Sequence, residues 1–145
     1  MSFGAAASSA RDDRFRRPAA ERPCPCGSGD RFDGCCGPLL AGGAVAPTAE
    51  RLMRSRYTGF VTGDERYLSD TWHPGTRPES LDLDPAQRWT GLEILATEEG
   101  GEEDARGFVE FRASWSSVRE RGTLHERSRF VRGGGRWWYL DGVVS

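Results

Sequence analysis

The chain has 145 residues, enough for about one domain and too few for a multi-domain enzyme. Leu, Ile, Val and Phe make up only 25 of them and the formal net charge is −2; a core must therefore be concentrated in part of the chain, and the basic excess of a dedicated nucleic-acid binder is missing. With 29% charged residues, no apolar run approaches the roughly 18 residues of a membrane span.

Residues 1–21, MSFGAAASSARDDRFRRPAAE, are rich in Ala and Arg and poor in large apolar groups, so they read as a disordered basic tail. They lack an apolar stretch of about 7–15 residues behind a basic start, and no secretory leader is expected. The compartment this implies is the cytoplasm.

Four cysteines follow within thirteen residues: Cys24, Cys26, Cys35 and Cys36, in CPCGSGDRFDGCC. In a reducing compartment a C-x-C-x8-C-C cluster favours a metal site over disulfides, although redox thiols at Cys35 and Cys36, or pairing as disulfides, stay open as alternatives. Two thiolate pairs joined by a Gly-rich turn can converge on one tetrahedral ion, and four protein thiolates leave no open position for a substrate. So short a segment has almost no core of its own, which makes a metal structural. These residues resemble the SEC-C motif at Cys24, Pro25, Cys26, Gly27, Ser28, Gly29, Cys35 and Cys36. The resemblance implies one zinc ion held by the four cysteines, and a small knob over residues 22–37 that binds a protein or ribonucleoprotein partner.

Residues 38–47 are Gly-, Ala- and Pro-rich and read as a linker. Thr48 offers a helix N-cap, with Glu50 in the first turn to suit the dipole. From 49 to 61 the apolar residues Leu52, Met53, Tyr57, Phe60 and Val61 recur at helical spacing. Gly63 ends that helix, and Asp64 caps a shorter one carrying Tyr67, Leu68 and Trp72, stopped by Pro74. Residues 74–87 read as a loop. The period then changes to two: WTGLEILATEE, GFVEFRASW, GTLHERSRFVR and RWWYLDGVV read as four strands joined by hairpins. Two helices followed by four antiparallel strands make an α+β domain over residues 48–145, with an aromatic core that should outlast loss of the knob.

RLMRSRYTGFVTGDERYLSDTWHP and HERSRFVRGGGRWWYLDG resemble the YchJ family of bacterial proteins. The resemblance implies a nuclear-transport-factor-2-like (NTF2-like) fold, in which a bent antiparallel sheet cradles helices around a conical cavity. It supplies no reaction.

Candidate cavity residues come from the patterning. Arg56 falls on the apolar stripe of the first helix, beside Tyr57. Alternation along the third strand puts Glu126 and Ser128 between Leu124 and Phe130 on the inner face, with His125, Arg127 and Arg129 opposite. A buried carboxylate needs a partner, so Arg56 and Glu126 are expected to pair. Trp72 is a candidate cavity residue, and His73 beside it reads either as a structural histidine that caps or hydrogen-bonds the helix end or as a ligand contact at the cavity mouth. Of the consecutive Trp137, Trp138 and Tyr139, alternate rings must face opposite sides. There is no nucleophile–base pattern and no phosphate loop. The expected function is a non-enzymatic zinc-binding adaptor whose cone holds a small ligand or offers a homodimer face. The alternative is an isomerase- or dehydratase-like enzyme using general acid–base chemistry in the cavity, which would rest on fold analogy alone. Nucleic acid is not expected as a sole partner.

Overall fold

Thr48 takes an extended backbone and its Oγ1 accepts the Arg51 N–H at 3.1 Å, which starts the main helix as the sequence predicts. In the computed structural model, which describes residues 17–145, the chain runs through a 3-10 turn (Phe32–Gly34), α1 (Cys36–Leu40), α2 (Ala49–Thr62), α3 (Glu65–Asp70), β1 (Arg88–Glu99), β2 (Arg106–Ser116), β3 (Arg121–Gly133) and β4 (Arg136–Val144). The expected basic tail lies outside the described residues up to position 16. Beyond it, Arg17 reaches Asp64 at 3.2 Å.

Helix α2 stops where Gly63 enters the left-handed region at φ 67, returning its N–H to Gly59 and Phe60. Asp64 then caps α3 by accepting the Tyr67 N–H. Helix α3 is shorter than the sequence suggests: it ends at Asp70, and Trp72 lies beyond it in a single parallel bridge to Tyr139. The Thr71 hydroxyl turns back to Tyr67 O at 2.8 Å. His73, which precedes Pro74, is biased away from helical backbone.

The four strands form one antiparallel sheet in the order β1-β2-β3-β4, each within one residue of its expected start and end. Irregularities between Trp89 and Gly91, between Ile94 and Ala96, and opposite Arg129 and Phe130 bend it. Its concave face carries Val109, Phe111 and Ala113 from β2, Phe130 and Ser128 from β3, and Trp137 from β4, all buried. Helix α2 lies across this face and presents Leu52, Met53 and Tyr57 to it. Its first turn is seated on the β1–β2 hairpin, where Ala49 N donates to Gly100 O at 2.9 Å. Gly100 and Gly107 make that approach possible, since a Cβ on Gly107 would collide with the Gly100 backbone. The outer face is laced with exposed ion pairs such as Arg112–Glu93 and Arg129–Asp141, which contribute little each. His125 belongs to this face too, but it is half-buried and bonded to Glu110 at 2.7 Å.

The expected linker over residues 38–47 is not one. Residues 38–40 complete α1, and Leu39, Leu40 and Ala46 are buried in the same apolar cluster as Leu52 and Trp137. Pro38 falls in the first turn of α1, where a missing N–H costs nothing, so the Gly/Pro composition conceals a helix. Pro47 O accepts the Trp137 Nε1–H at 3.1 Å. The cysteine knob and the sheet therefore share one continuous core, in contrast to the separable modules suggested by the sequence.

Candidate metal centre and cone cavity

The knob is a tight hairpin. Pro23 bridges Arg31, Cys24 N donates to Asp30 O at 2.9 Å, and Gly27 N returns to Cys24 O at 3.2 Å. The turn of Phe32–Gly34 then brings Cys35 and Cys36 back beneath the first pair. All four sulfurs lie within 4.8 Å of one another and all four residues are buried. Cys26 Sγ is 3.6 Å from Cys35 Sγ, which is 4.0 Å from Cys36 Sγ. A disulfide needs about 2.05 Å, and the four are free thiols. Four sulfurs bound tetrahedrally at about 2.3 Å stand about 3.8 Å apart, so the spacing fits a single closed metal ion. Without a cation the thiols share protons unequally. Cys26 is held far below a free thiol because Cys24 and then Cys36 hydrogen-bond to it, while Cys36 is driven up by Cys24, by Cys26 and by burial. A bound cation resolves this by stabilising every thiolate at once.

Helix α2 supplies the surroundings of the sulfurs. Arg51 Nη1 donates to Cys35 Sγ and Nη2 to Cys35 O, both at 3.3 Å. Arg54 Nη1 donates to Cys26 O at 2.7 Å, and Thr58 Oγ1 lies 3.9 Å from Cys24 Sγ. Ser28 Oγ, within the knob, sits 3.1 Å from Cys35 Sγ. Two cations and a hydroxyl on one side of α2 thus offset the negative charge that four thiolates would gather. The sequence analysis missed Arg51, Arg54 and Thr58. Their signal was the i, i+3, i+7 spacing of polar residues flanking the apolar stripe.

On the other flank of α2 lies a cavity of about 220 Å³. Five of the six expected cavity residues line it: Arg56, Tyr57, Trp72, Glu126 and Ser128. His73 does not. Its Nδ1 accepts the Gly75 N–H at 3.0 Å, its own N–H donates to Tyr139 O, and its ring meets Trp138 edge-on. It closes a turn on the outside of the cone. Trp137 and Tyr139 point inward, whereas Trp138 turns outward under the Arg136 guanidinium.

Arg56 is 3% exposed and so points inward as expected, yet it does not pair with Glu126. Its Nη1 donates to Leu68 O and Thr71 Oγ1, both at 2.7 Å, using acceptors left open at the end of α3. Its Cζ lies 4.5 Å from the Tyr139 ring centroid and 5.1 Å from that of Trp72. Glu126 Oε2 instead accepts from Ser128 Oγ at 2.6 Å and Tyr139 OH at 3.0 Å. Those hydroxyls stand on the same sheet face and reach the carboxylate first. Burial lowers the Arg56 pKa to about 10, against the raising influence of Tyr139, Tyr67 and Glu126, so it stays a cation at neutral pH. Burial pushes Tyr57 up to about 12 and raises Tyr139 as well.

A bent four-stranded sheet wrapped around a helix, with a four-cysteine cluster packed on the helix's far side, defines an NTF2-like cone carrying a SEC-C metal-binding motif. Residues 48–142 match the family described as the YchJ middle NTF2-like domain. The chain belongs to the YchJ family. It is 58% identical over 120 residues to a UPF0225 protein of Streptomyces coelicolor, covering 83% of this chain and 94% of that one. A UPF0225 protein of Chromobacterium violaceum is 48% identical, over 87% of this chain and 96% of its own. Among solved structures, a SEC-C motif containing protein from Rhodopseudomonas palustris superposes with a TM-score of 0.75 at 36% identity, over 86% of this chain and 99% of that one. A second, from Psychrobacter arcticus, has a TM-score of 0.70 at 28% identity, over 87% and 84%. No helix among the described residues is long and apolar enough to cross a membrane.

Proposed function

We propose that the chain is a non-enzymatic zinc-binding adaptor of the cytoplasm, whose SEC-C knob engages a protein or ribonucleoprotein partner and whose cone holds a small ligand. The observation that carries the reading is the closed set of four buried thiols. A donor set of four sulfurs selects a thiophilic ion such as zinc and leaves no coordination site for a substrate. Cys24, Cys26, Cys35 and Cys36 hold the ion, and its contribution is structural: it fixes the knob against Arg51, Arg54 and Thr58 of α2. A reducing compartment keeps these thiols available.

The partner surface is assigned to the knob's flank. A groove of about 530 Å³ is lined by Leu39, Leu40 and Val45, by Arg136, and by the pairs Arg17–Asp64 and Arg66–Asp70. Val45 is 63% exposed, an apolar side chain at the rim of a groove whose charges are largely paired, which suits a partner segment with apolar anchors. The test compares the native chain with Val45→Asp, in which the metal ligands are intact. The reading predicts one zinc per chain in both proteins and loss of the captured partner only in the variant. Equal capture by both, or a protein purified without zinc, counts against it.

A further inference from the structure

The cone cavity is lined by two side chains with N–H groups that the protein itself leaves unused, Arg56 and Trp72. Arg56 is 3% exposed, yet among the described residues its hydrogen bonds use only Nη1. No carboxylate among them lies within 4.0 Å of its guanidinium, and the charge of Glu126 acts on it only from beyond that reach. Burying a guanidinium without an ion-pair partner in contact is costly. The second group is Trp72 Nε1, which is buried and has no hydrogen-bond partner in the structure; unpaired buried donors of this kind are rare in folded proteins. Both side chains line the same space, and the Arg56 Cζ sits 5.1 Å from the Trp72 ring centroid. An unused indole N–H and a guanidinium with unused N–H groups thus belong to two side chains that border one small cavity.

The remaining wall is apolar and aromatic: Tyr57, Phe60, Trp89, Phe111 and Leu124. A dry cavity of about 150 Å³ accommodates a benzene ring, so 220 Å³ suits a molecule of roughly ten non-hydrogen atoms. Glu126 also borders the space; its Oε2 accepts from the hydroxyls of Ser128 and Tyr139, while its Oε1 makes no hydrogen bond among the described residues. A cationic guest would lack the aromatic faces it needs. The ring faces of Trp72 and Tyr139 that would attract it already carry the Arg56 guanidinium.

We infer that the cavity is a binding site for a small organic carboxylate with an apolar body, its carboxylate received by Arg56 and the Trp72 N–H and its body packed against Phe60, Trp89 and Phe111. A carboxylate supplies the contact ion-pair partner that Arg56 lacks and the acceptor that Trp72 lacks, and a guanidinium is the side chain best matched to its planar shape. The inference rests on the reading that the cone holds a small ligand, and it is independent of the knob's partner.

Phenylacetate, phenylacetamide and phenethylamine share one ring and nearly one size, and differ in carrying a negative, neutral or positive head. Binding of each to the zinc-loaded full chain is followed by calorimetry and by the Trp72 indole N–H resonance. The acid is expected to bind at least tenfold more tightly than the amide, with the indole proton moving downfield, and the amine not to bind. Trp72→Phe keeps an aromatic ring and removes the donor; it should weaken phenylacetate several-fold and phenylacetamide less, since the charged acceptor gains more from that N–H. Arg56→Gln should abolish the preference for acid over amide, and if that variant does not fold, Trp72→Phe decides alone. Equal or tighter binding of the amide or amine overturns the carboxylate assignment while leaving a ligand-holding cone. Binding of none of the three at millimolar concentration overturns both.

Discussion

Arg51 Nη1 donates to Cys35 Sγ across 3.3 Å, and this contact joins the metal-binding knob to the helix that covers the cone cavity. The same guanidinium holds Cys35 O, so it fixes the backbone that presents the sulfur and places a positive charge beside it. Partners of this kind around metal ligands typically account for about 10- to 100-fold in metal affinity. Arg51→Met is therefore expected to release metal to a competing chelator about tenfold more readily, with its stem packing largely retained. Unchanged competition would remove Arg51 from the metal centre's support.

Glu126→Gln separates the structure's account of the cavity from a direct ion pair. An Arg56–Glu126 pair would lose about 3–5 kcal/mol on neutralising one partner. The carboxylate instead accepts two hydroxyls, and the Gln carbonyl can accept the same bonds. The expected loss in denaturant unfolding is only about 1 kcal/mol.

Thr48→Ala should cost about 1 kcal/mol, because it removes the cap on the Arg51 N–H and nothing else that the helix depends on. Chemical denaturation gives the value directly. A neutral outcome would mean that the seat of Ala49 on Gly100 O alone fixes the start of α2.

Tyrosine ionisation supplies a pH signature. Burial holds Tyr57 protonated up to about 12 and raises Tyr139 and Tyr67 too, and these are the chain's three tyrosines. An unfolded tyrosine loses its proton near pH 10. Above that pH the unfolded state holds fewer protons at these sites, so their contribution to stability falls as pH rises from about 10 to 12. Arg56, lowered to about 10, acts in the opposite sense over the same interval, with one proton against three. The ultraviolet absorbance of tyrosinate in the native protein should rise well above pH 10, and in denaturant near it. Coincident curves would contradict the burial.

Strand boundaries, the Thr48 and Asp64 caps and the inward Arg56 were legible because each follows from local rules: alternation, capping chemistry and the helical period. The cysteine cluster was legible from its spacing. What could not be read were contacts between elements distant in sequence. Leu39 and Leu40 were concealed by the Gly- and Pro-rich stretch around them, yet they are buried against a helix and a strand that follow much later. Glu126 was assigned to Arg56 by face alone, when Tyr139, thirteen residues further along the chain, supplied the nearer partner. Periodicity places a side chain on a face, but competition among neighbours on that face decides its bond.

The central claim is that the cysteine centre and the cone form one folding unit around a bound metal. Following metal release and the sheet's circular dichroism together through a chelator titration tests it most directly. The account predicts one metal ion per chain, and a single transition in which metal loss and loss of the sheet signal coincide. Complete metal release with the sheet signal intact would contradict it.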